Sequence, residues 1–374
     1  MTEPGIMIPF FKGRVALHAI LTAAGIGPGD QVLLPGYTCV VVPNAINYTG
    51  AKPVYLDIEA RNFNLDCDRL EEGIGRQWSP ERAKALIAQH TYGIPADMDR
   101  LMDFARKHNL LLIEDSCHAI GARWSDREVG SLGDAAFFSS QWSKPVTTGL
   151  GGWARINNLE LAKAFSGIKE RYTQPSMVEA LVLEMQHLAF TALNRPRLYG
   201  SIQSTYRRLG QLGLAIGSSS SAELACELPR EYEKGMHPLQ LRRLNNLLSR
   251  VASMVRTRQE KAKTIEDTLA GAGMPTIKTP SACIPVYLRY PLLIRNKEQV
   301  LAAARRERIH LGDWFLSPIH PNLESWELAG YTAGTCPVGE DVSRRVINIS
   351  TDARMSEAEV QRTVSFLADH AIFD

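Results

Sequence analysis

The sequence predicts an α/β fold in which a large domain holds a mostly parallel sheet and a smaller α+β domain follows it. Three observations predict this class. From about residue 13, helical and strand-like patterns alternate along the chain. The strand-like runs include "LLLIED", a continuous apolar run typical of strands buried on both faces of a parallel sheet. In the second half the pattern changes to long helices around one strand-like segment.

The elements of the first half follow one another as βαβ units require. Helices are predicted in four segments, "GRVALHAILTAAG", "VVVPNAINYTG", "DCDRLEEGI" and "PADMDRLMDFARKHN". Strands are predicted in "QVLLP", "KPVYLD", "KALIAQH", "LLLIED" and "AAFFSS". In open α/β sheets, ligands bind beyond the carboxyl ends of the strands. Asp57, His90 and Asp115 lie at or just after such ends, so their positions suit contact with a ligand.

The second half predicts an insert and then a second domain. Residues 160–235 form a helical insert in a large domain that spans 1–240; the insert includes "MVEALVLEMQHLAFTAL" and the polar loop "GSSSSAE". One long helix is predicted over "PLQLRRLNNLLSRVASMVRTRQEKAKTIEDTLAGAG". A strand in "IPVYLRYPLLI", a helix in "KEQVLAAARRERI" and a final helix after Ser356 complete a smaller domain at 241–374.

The composition favours a globular protein that acts on small molecules. Of 374 residues, 45% are hydrophobic and 22% charged, and the net charge is only +2, which gives no strong field for nucleic acid or an anionic membrane. Six cysteines show no C-x-x-C spacing and nine histidines no paired arrangement, so no metal site is predicted. Because no secretory signal or spanning segment is evident, we expect a cytoplasmic location.

Lys144 and Asp115 are the strongest candidates for chemistry. Lys144 follows the strand "AAFFSS" and precedes the turn "TTGLGG", whose glycines let backbone approach a ligand closely. Asp115 ends the most apolar strand, where a carboxylate is costly without a partner. Considered singly, each residue has an alternative explanation: Lys144 as a solvated loop lysine, and Asp115 as a turn or N-cap aspartate. Together, an amine nucleophile and a strand-end carboxylate are two parts of a pyridoxal phosphate site. Gly13 and Arg14, which open the first helix, offer the third part, an anion cup.

Three ordered blocks carry a family resemblance. They are "GRVALHAILTAAGIGPGDQVLLPGYTCVVVPNAINYTGAKPVYLDIE", "HTYGIPADMDRLMDFARKHNLLLIEDSCHAIGA" and "GDAAFFSSQWSKPVTTGLGG". This sequence resembles the DegT/DnrJ/EryC1/StrS family of pyridoxal phosphate-dependent sugar aminotransferases over most of residues 13–158. The resemblance implies fold type I of the pyridoxal phosphate-dependent transferases, as in aspartate aminotransferase, with a mostly parallel seven-stranded sheet, and a homodimer.

The resemblance implies roles for individual residues. Lys144 matches the lysine that forms the Schiff base with the cofactor, and Asp115 matches the acid that pairs with its pyridine nitrogen. His118 matches a glutamine or histidine near the ring oxygen, and Ser139 a serine that binds the phosphate. Gly13-Arg14 matches the Gly-Thr of the phosphate turn, with arginine in place of threonine.

The sequence also departs from the family pattern. Only twelve residues precede the phosphate turn, fewer than in the family, so we expect part of the usual active-site or dimer wall to be missing or rebuilt. Cys39 stands where the family has an aromatic residue on the cofactor ring. The family's asparagine, donated across the dimer to the phosphate, has no clear equivalent in "EYEKGMHPLQ", where Lys234 or His237 are candidate replacements.

Further residues are candidates for the substrate side. Tyr92, with His90, matches a family block at the mouth of the site, although a strand-end histidine bonded to backbone explains His90 equally well. Trp314 and His320 resemble the segment that lines the substrate pocket, and a core tryptophan is the alternative. The apolar stretch of the insert favours a packing or dimer face, and contact with a membrane surface is the second interpretation.

The resemblance implies an aminotransferase that moves an amino group from glutamate to a keto-sugar, nucleotide-linked, in surface-polysaccharide or secondary-metabolite sugar biosynthesis. A sugar dehydratase with the same cofactor is one alternative, but the dehydratases of the family carry histidine in place of the lysine, so Lys144 opposes it. A catalytically silent regulatory protein is another. The altered phosphate turn and Cys39 favour it, whereas Lys144 and Asp115 oppose it.

Overall fold

The computed structural model describes residues 5–142, 144–193, 216–217, 221–321 and 326–373. Fourteen strands lie in these ranges: β1 Ile6–Phe10, β2 Gln31–Pro35, β3 Thr38–Cys39, β4 Lys52–Leu56, β5 Ala83–Gln89, β6 Leu111–Asp115, β7 Arg123–Trp124, β8 Arg127–Glu128, β9 Ala135–Ser139, β10 Gly152–Ile156, β11 Cys283–Ile284, β12 Arg289–Leu293, β13 Ile319–His320 and β14 Val346–Ser350. Eleven α-helices accompany them: α1 Gly13–Ala23, α2 Val41–Asn47, α3 Met98–Lys107, α4 Leu159–Ile168, α5 Met177–Leu193, α6 Ser221–Leu224, α7 Pro238–Leu248, α8 Val251–Gly271, α9 Lys297–Glu307, α10 Pro337–Arg345 and α11 Glu357–His370.

A seven-stranded sheet organises the first half, in the order β1-β10-β9-β6-β5-β2-β4. The five strands from β9 to β4 run parallel, whereas β10 and the edge strand β1 are antiparallel to their neighbours. The parallel strands are short apolar runs that helices cover on both faces, as parallel sheets require. The predicted α/β class with a mostly parallel seven-stranded sheet is therefore confirmed.

Side chains alternate between two cores across this sheet. Leu33 and Leu86 point into one core, which also receives α3 and much of the C-terminal part. Val32 and Ile87 point to the opposite face, where α1, α2 and α4 pack. This alternation follows from the two-residue period of a strand. Because one core joins the sheet to the C-terminal helices, the second half is held firmly against the first.

The C-terminal part is built on the antiparallel pair β12 and β14. The helices α8, α9 and α11 contribute buried residues to the same core, among them Ile265, Val300 and Leu367. Ser356 and Glu359 form a reciprocal capping box at the start of α11, which fixes where that helix begins. This arrangement is α+β, whereas the predicted boundary at 240/241 stays a prediction.

Two predicted helices are wrong in extent. The segment "DCDRLEEGI" is irregular apart from one 3-10 turn at Glu71–Gly73, because side-chain and backbone bonds such as Asp68 N–H to Asp66 Oδ1 favour turns there. The long helix predicted from Pro238 is two helices, α7 and α8, with the break at Ser249 and Arg250. The Ser249 hydroxyl donates to the Asn246 carbonyl at this break. The parts of the insert that include "RPRLYG" and "YRRLG", and residues 218–220 of the serine loop, lie outside the described residues.

Candidate active site

The carboxyl ends of β6 and β9 and the start of α1 meet at one edge of the sheet. Gly13 opens α1 directly against the end of β9, and a Cβ added to it would lie 2.7 Å from the Phe138 carbonyl oxygen and 3.0 Å from Ser139 Cβ. Only glycine permits this approach. This close approach places the N–H groups of the first turn of α1, and the positive end of the helix dipole, beside the Ser139 hydroxyl. The geometry is that of a cradle for an anion.

Lys144 lies on the turn that follows β9. Its backbone N–H donates to the Gln141 carbonyl (2.9 Å), and the turn is closed by Thr148 N–H donating to the Ser140 carbonyl (2.9 Å). The Lys144 ammonium lies 5.1 Å from the centroid of the Trp314 ring. Burial lowers the pKa of Lys144 below its ordinary value, and this favours the neutral, nucleophilic amine.

Asp115 ends β6 and is 7% exposed. Its Oδ1 accepts a hydrogen bond from the Cys117 N–H (3.0 Å). Burial raises the pKa of the Asp115 carboxyl, while this hydrogen bond and then the Lys144 charge act in the opposite direction. Lys144 and Asp115 therefore stabilise each other's charged forms inside an apolar surrounding. A cation brought between them would favour the ionised carboxylate further.

His118 lies in the loop after β6 and is 7% exposed. Its ring packs on Trp314 with centroids 4.7 Å apart. Burial, followed by the charges of Lys144 and Arg289, holds the pKa of His118 well below its usual value, so the imidazole is neutral. Among the described residues, its buried Nδ1 atom has no hydrogen-bond partner. A buried polar atom without a partner is costly and marks a place where a ligand can bond.

Trp314 forms a wall opposite Lys144. Its backbone N–H donates to Asn348 Oδ1 (3.0 Å), which ties the wall to β14. The Arg289 guanidinium lies 5.3 Å from the centroid of the same ring, a cation–π distance. Sequence reasoning missed Arg289, whose only local signal is an arginine that opens the strand "RYPLL". The ring of His320 lies 5.9 Å from that of Trp314, and burial lowers the pKa of His320 to about 3.

Cys39 stands beside His320 through strand pairing. β3 and β13 are parallel, with Cys39 opposite His320, and the Val40 N–H donates to the His320 carbonyl (2.7 Å). Burial raises the pKa of the Cys39 thiol, which therefore stays protonated, whereas the nearby charges of Arg14 and Lys144 act against this. The short strand pair thus brings the C-terminal segment across the sheet edge next to the site.

Arg14 points from the start of α1 to Glu223, with 2.5 Å between Nη1 and Glu223 Oε2. Its neighbour Lys12 is also buried and pairs with Glu231 (2.5 Å). The two ion pairs join the phosphate-turn segment to the last part of the insert. Lys234, one of the proposed replacements for the cross-dimer contact, pairs with Glu179. The other, His237, caps α7 by accepting the Leu239 N–H (3.3 Å).

Tyr92 is fully buried behind Trp314 and does not line an open mouth. Its hydroxyl donates to the Trp314 carbonyl and accepts from the Phe315 N–H (3.1 Å). His90 accepts the Ala96 N–H on Nδ1 (3.0 Å), and its Nε2 lies 3.2 Å from Glu114 Oε2. Tyr92 and His90 therefore hold neighbouring segments in place. For His90 this agrees with the structural interpretation given above, a strand-end histidine hydrogen-bonded to backbone.

The residues present fit pyridoxal phosphate. The glycine cradle at α1 with Ser139 suits a phosphate, Asp115 suits a protonated ring nitrogen, and the unpartnered Nδ1 of His118 suits a polar ring substituent. Lys144 supplies the amine that an aldehyde cofactor needs, and burial lowers the pKa of this amine. No group of three or more metal-ligating side chains occurs within the described part of the chain.

This fold and this set of side chains suit an aminotransferase of fold type I. The description "DegT/DnrJ/EryC1/StrS aminotransferase family" applies to a family model that matches residues 7–180 and 233–368. The chain belongs to that family. The predicted family and enzyme class are therefore confirmed.

Three relatives illustrate the match. GDP-perosamine synthase from Caulobacter vibrioides is 45% identical over 151 residues, which span 40% of this chain and 39% of that protein. L-glutamine:2-deoxy-scyllo-inosose aminotransferase from Micromonospora echinospora is 29% identical over 95% of this chain and 79% of that protein. The crystal structure of a family aminotransferase from Brucella abortus superposes with a TM-score of 0.74 at 20% identity, over 98% of this chain and 86% of that one. The last comparison shows the shared fold.

Proposed function

We propose that the protein is a pyridoxal phosphate-dependent aminotransferase that moves an amino group from glutamate to a nucleotide-linked keto-sugar. The observation that carries this proposal is the Lys144 amine, which lies 5.1 Å from the centroid of the Trp314 ring and whose pKa burial lowers, while the Asp115 carboxylate favours its charged form. Membership of a sugar aminotransferase family supports the reaction class. The relative named GDP-perosamine synthase supports a nucleotide-linked sugar.

Each residue of the site has a role in holding the cofactor. The start of α1 at Gly13 and the Ser139 hydroxyl would bind the phosphate, and Asp115 would keep the ring nitrogen protonated. His118 Nδ1 would bond a polar ring substituent. The bound cofactor supplies an electron sink for negative charge at the substrate carbon.

Lys144 is the group that moves protons. Because burial lowers its pKa, the amine is available as a general base at the substrate carbon and, once protonated, as a general acid. Asp115 stabilises positive charge in the buried site electrostatically. The Trp314 wall limits water at the Lys144 amine, which protects a reactive centre from hydrolysis.

Trp314 and His320 are proposed to contact the sugar, because their ring centroids lie 5.9 Å apart and the Trp314 ring lies 5.1 Å from the Lys144 amine. Tyr92 is proposed to act on the substrate only through Trp314, because its hydroxyl donates a hydrogen bond to the Trp314 carbonyl. The family also motivates two further proposals, a homodimer and a cytoplasmic location. Within the described residues, no helix is long and apolar enough to cross a membrane.

The test is covalent capture of the cofactor. Purified protein is incubated with pyridoxal phosphate, reduced with borohydride and digested, and mass spectrometry locates the adduct. We expect the adduct on Lys144 and its loss in Lys144→Ala, whereas Lys163→Ala, which removes an exposed lysine of α4, retains it. Wild-type protein without an adduct on Lys144 would overturn the proposal.

Half-reactions then test which amino donor and which keto-sugar acceptor the protein uses. Glutamate should convert the bound cofactor to its amine form with release of 2-oxoglutarate, and a panel of keto-sugar nucleotides should reverse the conversion. Glutamine is the alternative donor to include, because one relative is named for it. Conversion by glutamine alone would refute the glutamate assignment. A Lys144 adduct that no amino donor converts would favour the silent regulatory alternative.

A further inference from the structure

Arg289 is a half-buried arginine of the active site that pairs with no acidic side chain in the described part of the chain. The buried cations of the phosphate-turn segment differ in this respect, because Arg14 pairs with Glu223 and Lys12 with Glu231. A guanidinium that is partly removed from water is stabilised by an anion at its N–H groups. The Arg289 side chain therefore offers its donors to a ligand.

The Arg289 guanidinium lies near the reactive amine. It is 5.3 Å from the centroid of the Trp314 ring, and the Lys144 amine is 5.1 Å from the same point, so the two cations are no more than about 10 Å apart. Burial is the main cause of the low pKa of Lys144 and of His118, and the Arg289 charge lowers both further. A small molecule that reacts at Lys144 can therefore also reach Arg289.

Packing around Arg289 limits where its guanidinium can lie. A Cβ added to Gly312 would lie 2.9 Å from Arg289 Nη1, so glycine at this position leaves room for the arginine. Gly312 exchanges two backbone hydrogen bonds with Asn348 of β14 (2.9 and 2.8 Å), and β14 pairs with β12, which Arg289 opens. Asn348 Oδ1 also accepts the Trp314 N–H. The arginine and the ring beside it are thus carried by one pair of strands, which reduces the entropy lost on binding.

The surroundings of Arg289 favour a carboxylate over a phosphate. A guanidinium binds either anion through two parallel N–H groups. A phosphate is usually held by several free backbone N–H groups as well, which Gly13 offers at the start of α1. Arg289 instead opens a strand that pairs with β14, so its charged side chain stands without such a set. We propose that Arg289 binds a carboxylate of the substrate.

This inference rests on the proposed function, because two kinds of aminotransferase substrate carry such a carboxylate. An amino-acid donor has one on the carbon that loses the amino group. A uronic acid sugar has one within two or three bonds of the ring carbons that can carry the keto group. In both, the carboxylate reaches Arg289 while the reacting carbon stays near Lys144.

Isothermal titration calorimetry of the protein loaded with pyridoxal phosphate separates these sources. The ligands are 2-oxoglutarate, which has the carboxylates of glutamate without its amine, a methyl glucuronoside, which is an acidic sugar, and uridine diphosphate, which has no carboxylate. Arg289→Gln removes the charge, Arg289→Lys keeps the charge without the fork, and Gly312→Ala displaces the fork. Arg344→Gln is the matched control, because Arg344 is 67% exposed on α10.

We expect Arg289→Gln to weaken the binding of 2-oxoglutarate or of the glucuronoside about 10- to 100-fold, because a charge-assisted pair of hydrogen bonds is lost. The ligand that is weakened identifies the source of the carboxylate. Arg289→Lys should recover part of the loss, and Gly312→Ala should weaken the same ligand although the arginine is present. The affinity for uridine diphosphate should not change in these variants, nor should any affinity in Arg344→Gln.

The inference is overturned if wild type binds neither carboxylate, or if Arg289→Gln binds both as wild type does. Equal weakening of uridine diphosphate also overturns it, because Arg289 would then bind phosphate. Borohydride capture on Lys144 is measured on the same samples. An adduct in wild type and in Arg289→Gln separates a failure of this inference from a failure of the proposed function, in which wild type forms no adduct. Circular dichroism checks that the variants are folded.

Discussion

Replacing Glu223 with glutamine tests the buried ion pair at the start of α1. The Arg14 and Glu223 side chains are only 5% and 1% exposed, and 2.5 Å separates the paired atoms. Burial alone would lower the pKa of Arg14, but the Glu223 carboxylate, with smaller effects of Tyr232 and Cys39, raises it above its ordinary value. Glutamine keeps the shape but removes the charge, so the buried guanidinium loses the carboxylate that lies 2.5 Å from it. Removal of one partner of such a pair costs about 3–5 kcal/mol.

Urea unfolding followed by circular dichroism measures this cost through the shift of the midpoint at constant slope. The double variant Arg14→Met/Glu223→Leu removes both charges, so it should lose much less stability than Glu223→Gln. Glu160→Gln is the control, because Glu160 and its partner Lys163 are 81% and 73% exposed and the pair contributes at most about 1 kcal/mol. A Glu223→Gln protein within about 1 kcal/mol of wild type would refute the reasoning.

Three further predictions concern the site itself. Gly13→Ala should destabilise the protein by about 1–3 kcal/mol and weaken pyridoxal phosphate binding, because the new Cβ would lie 2.7 Å from the Phe138 carbonyl oxygen. Gly167→Ala, whose Cβ would meet no described atom within 4 Å, should not lower the melting temperature and should leave the cofactor titration unchanged. Burial lowers the pKa of His320 to about 3, so the unfolded chain takes up a proton below about pH 6.5 and the folded chain does not. The stability of the wild type should therefore fall as the pH is lowered from 6.5 toward 3. The urea midpoint of His320→Asn should fall less steeply with pH than the midpoint of the wild type. Equal dependence of the two midpoints on pH would contradict this prediction. Because burial lowers the pKa of Lys144 from 10.5, the rate of its capture by pyridoxal phosphate and borohydride should rise with pH around a midpoint below 10.5, and a midpoint at or above that value would contradict the assignment.

The positions of Asp115, Ser139 and Lys144 could be predicted because local sequence encodes them. Each lies at or just beyond the end of a short apolar run, and such runs form parallel strands whose carboxyl ends share one edge. The start of α1 at Gly13 was likewise encoded by a local helical period. The family blocks added the roles of these residues, which periodicity alone does not contain.

The opposite wall of the site could not be predicted from local pattern. Arg289 reaches Trp314 only because β12 and β14 pair and Asn348 binds the Trp314 backbone. The ion pair of Arg14 and Glu223 joins residues 209 positions apart, so no short sequence motif predicts it. The break between α7 and α8 lies within one core, because Leu244 of α7 and Val251 at the start of α8 pack in the same cluster, whereas Ile265 farther along α8 enters another.

The charges of the site argue for an anionic ligand. The Lys144 amine and the Arg289 guanidinium lie 5.1 and 5.3 Å from the centroid of the Trp314 ring, and the Asp115 carboxylate favours the charged form of Lys144. Both cations lower the pKa of His118 and His320 beyond the effect of burial, so these rings stay neutral and add no positive charge of their own. A phosphate at the start of α1, or a carboxylate or nucleotide near Arg289, would reduce the repulsion between these cations. Ligand binding should therefore raise the pKa of both histidines, a shift that histidine NMR titration with and without pyridoxal phosphate measures directly.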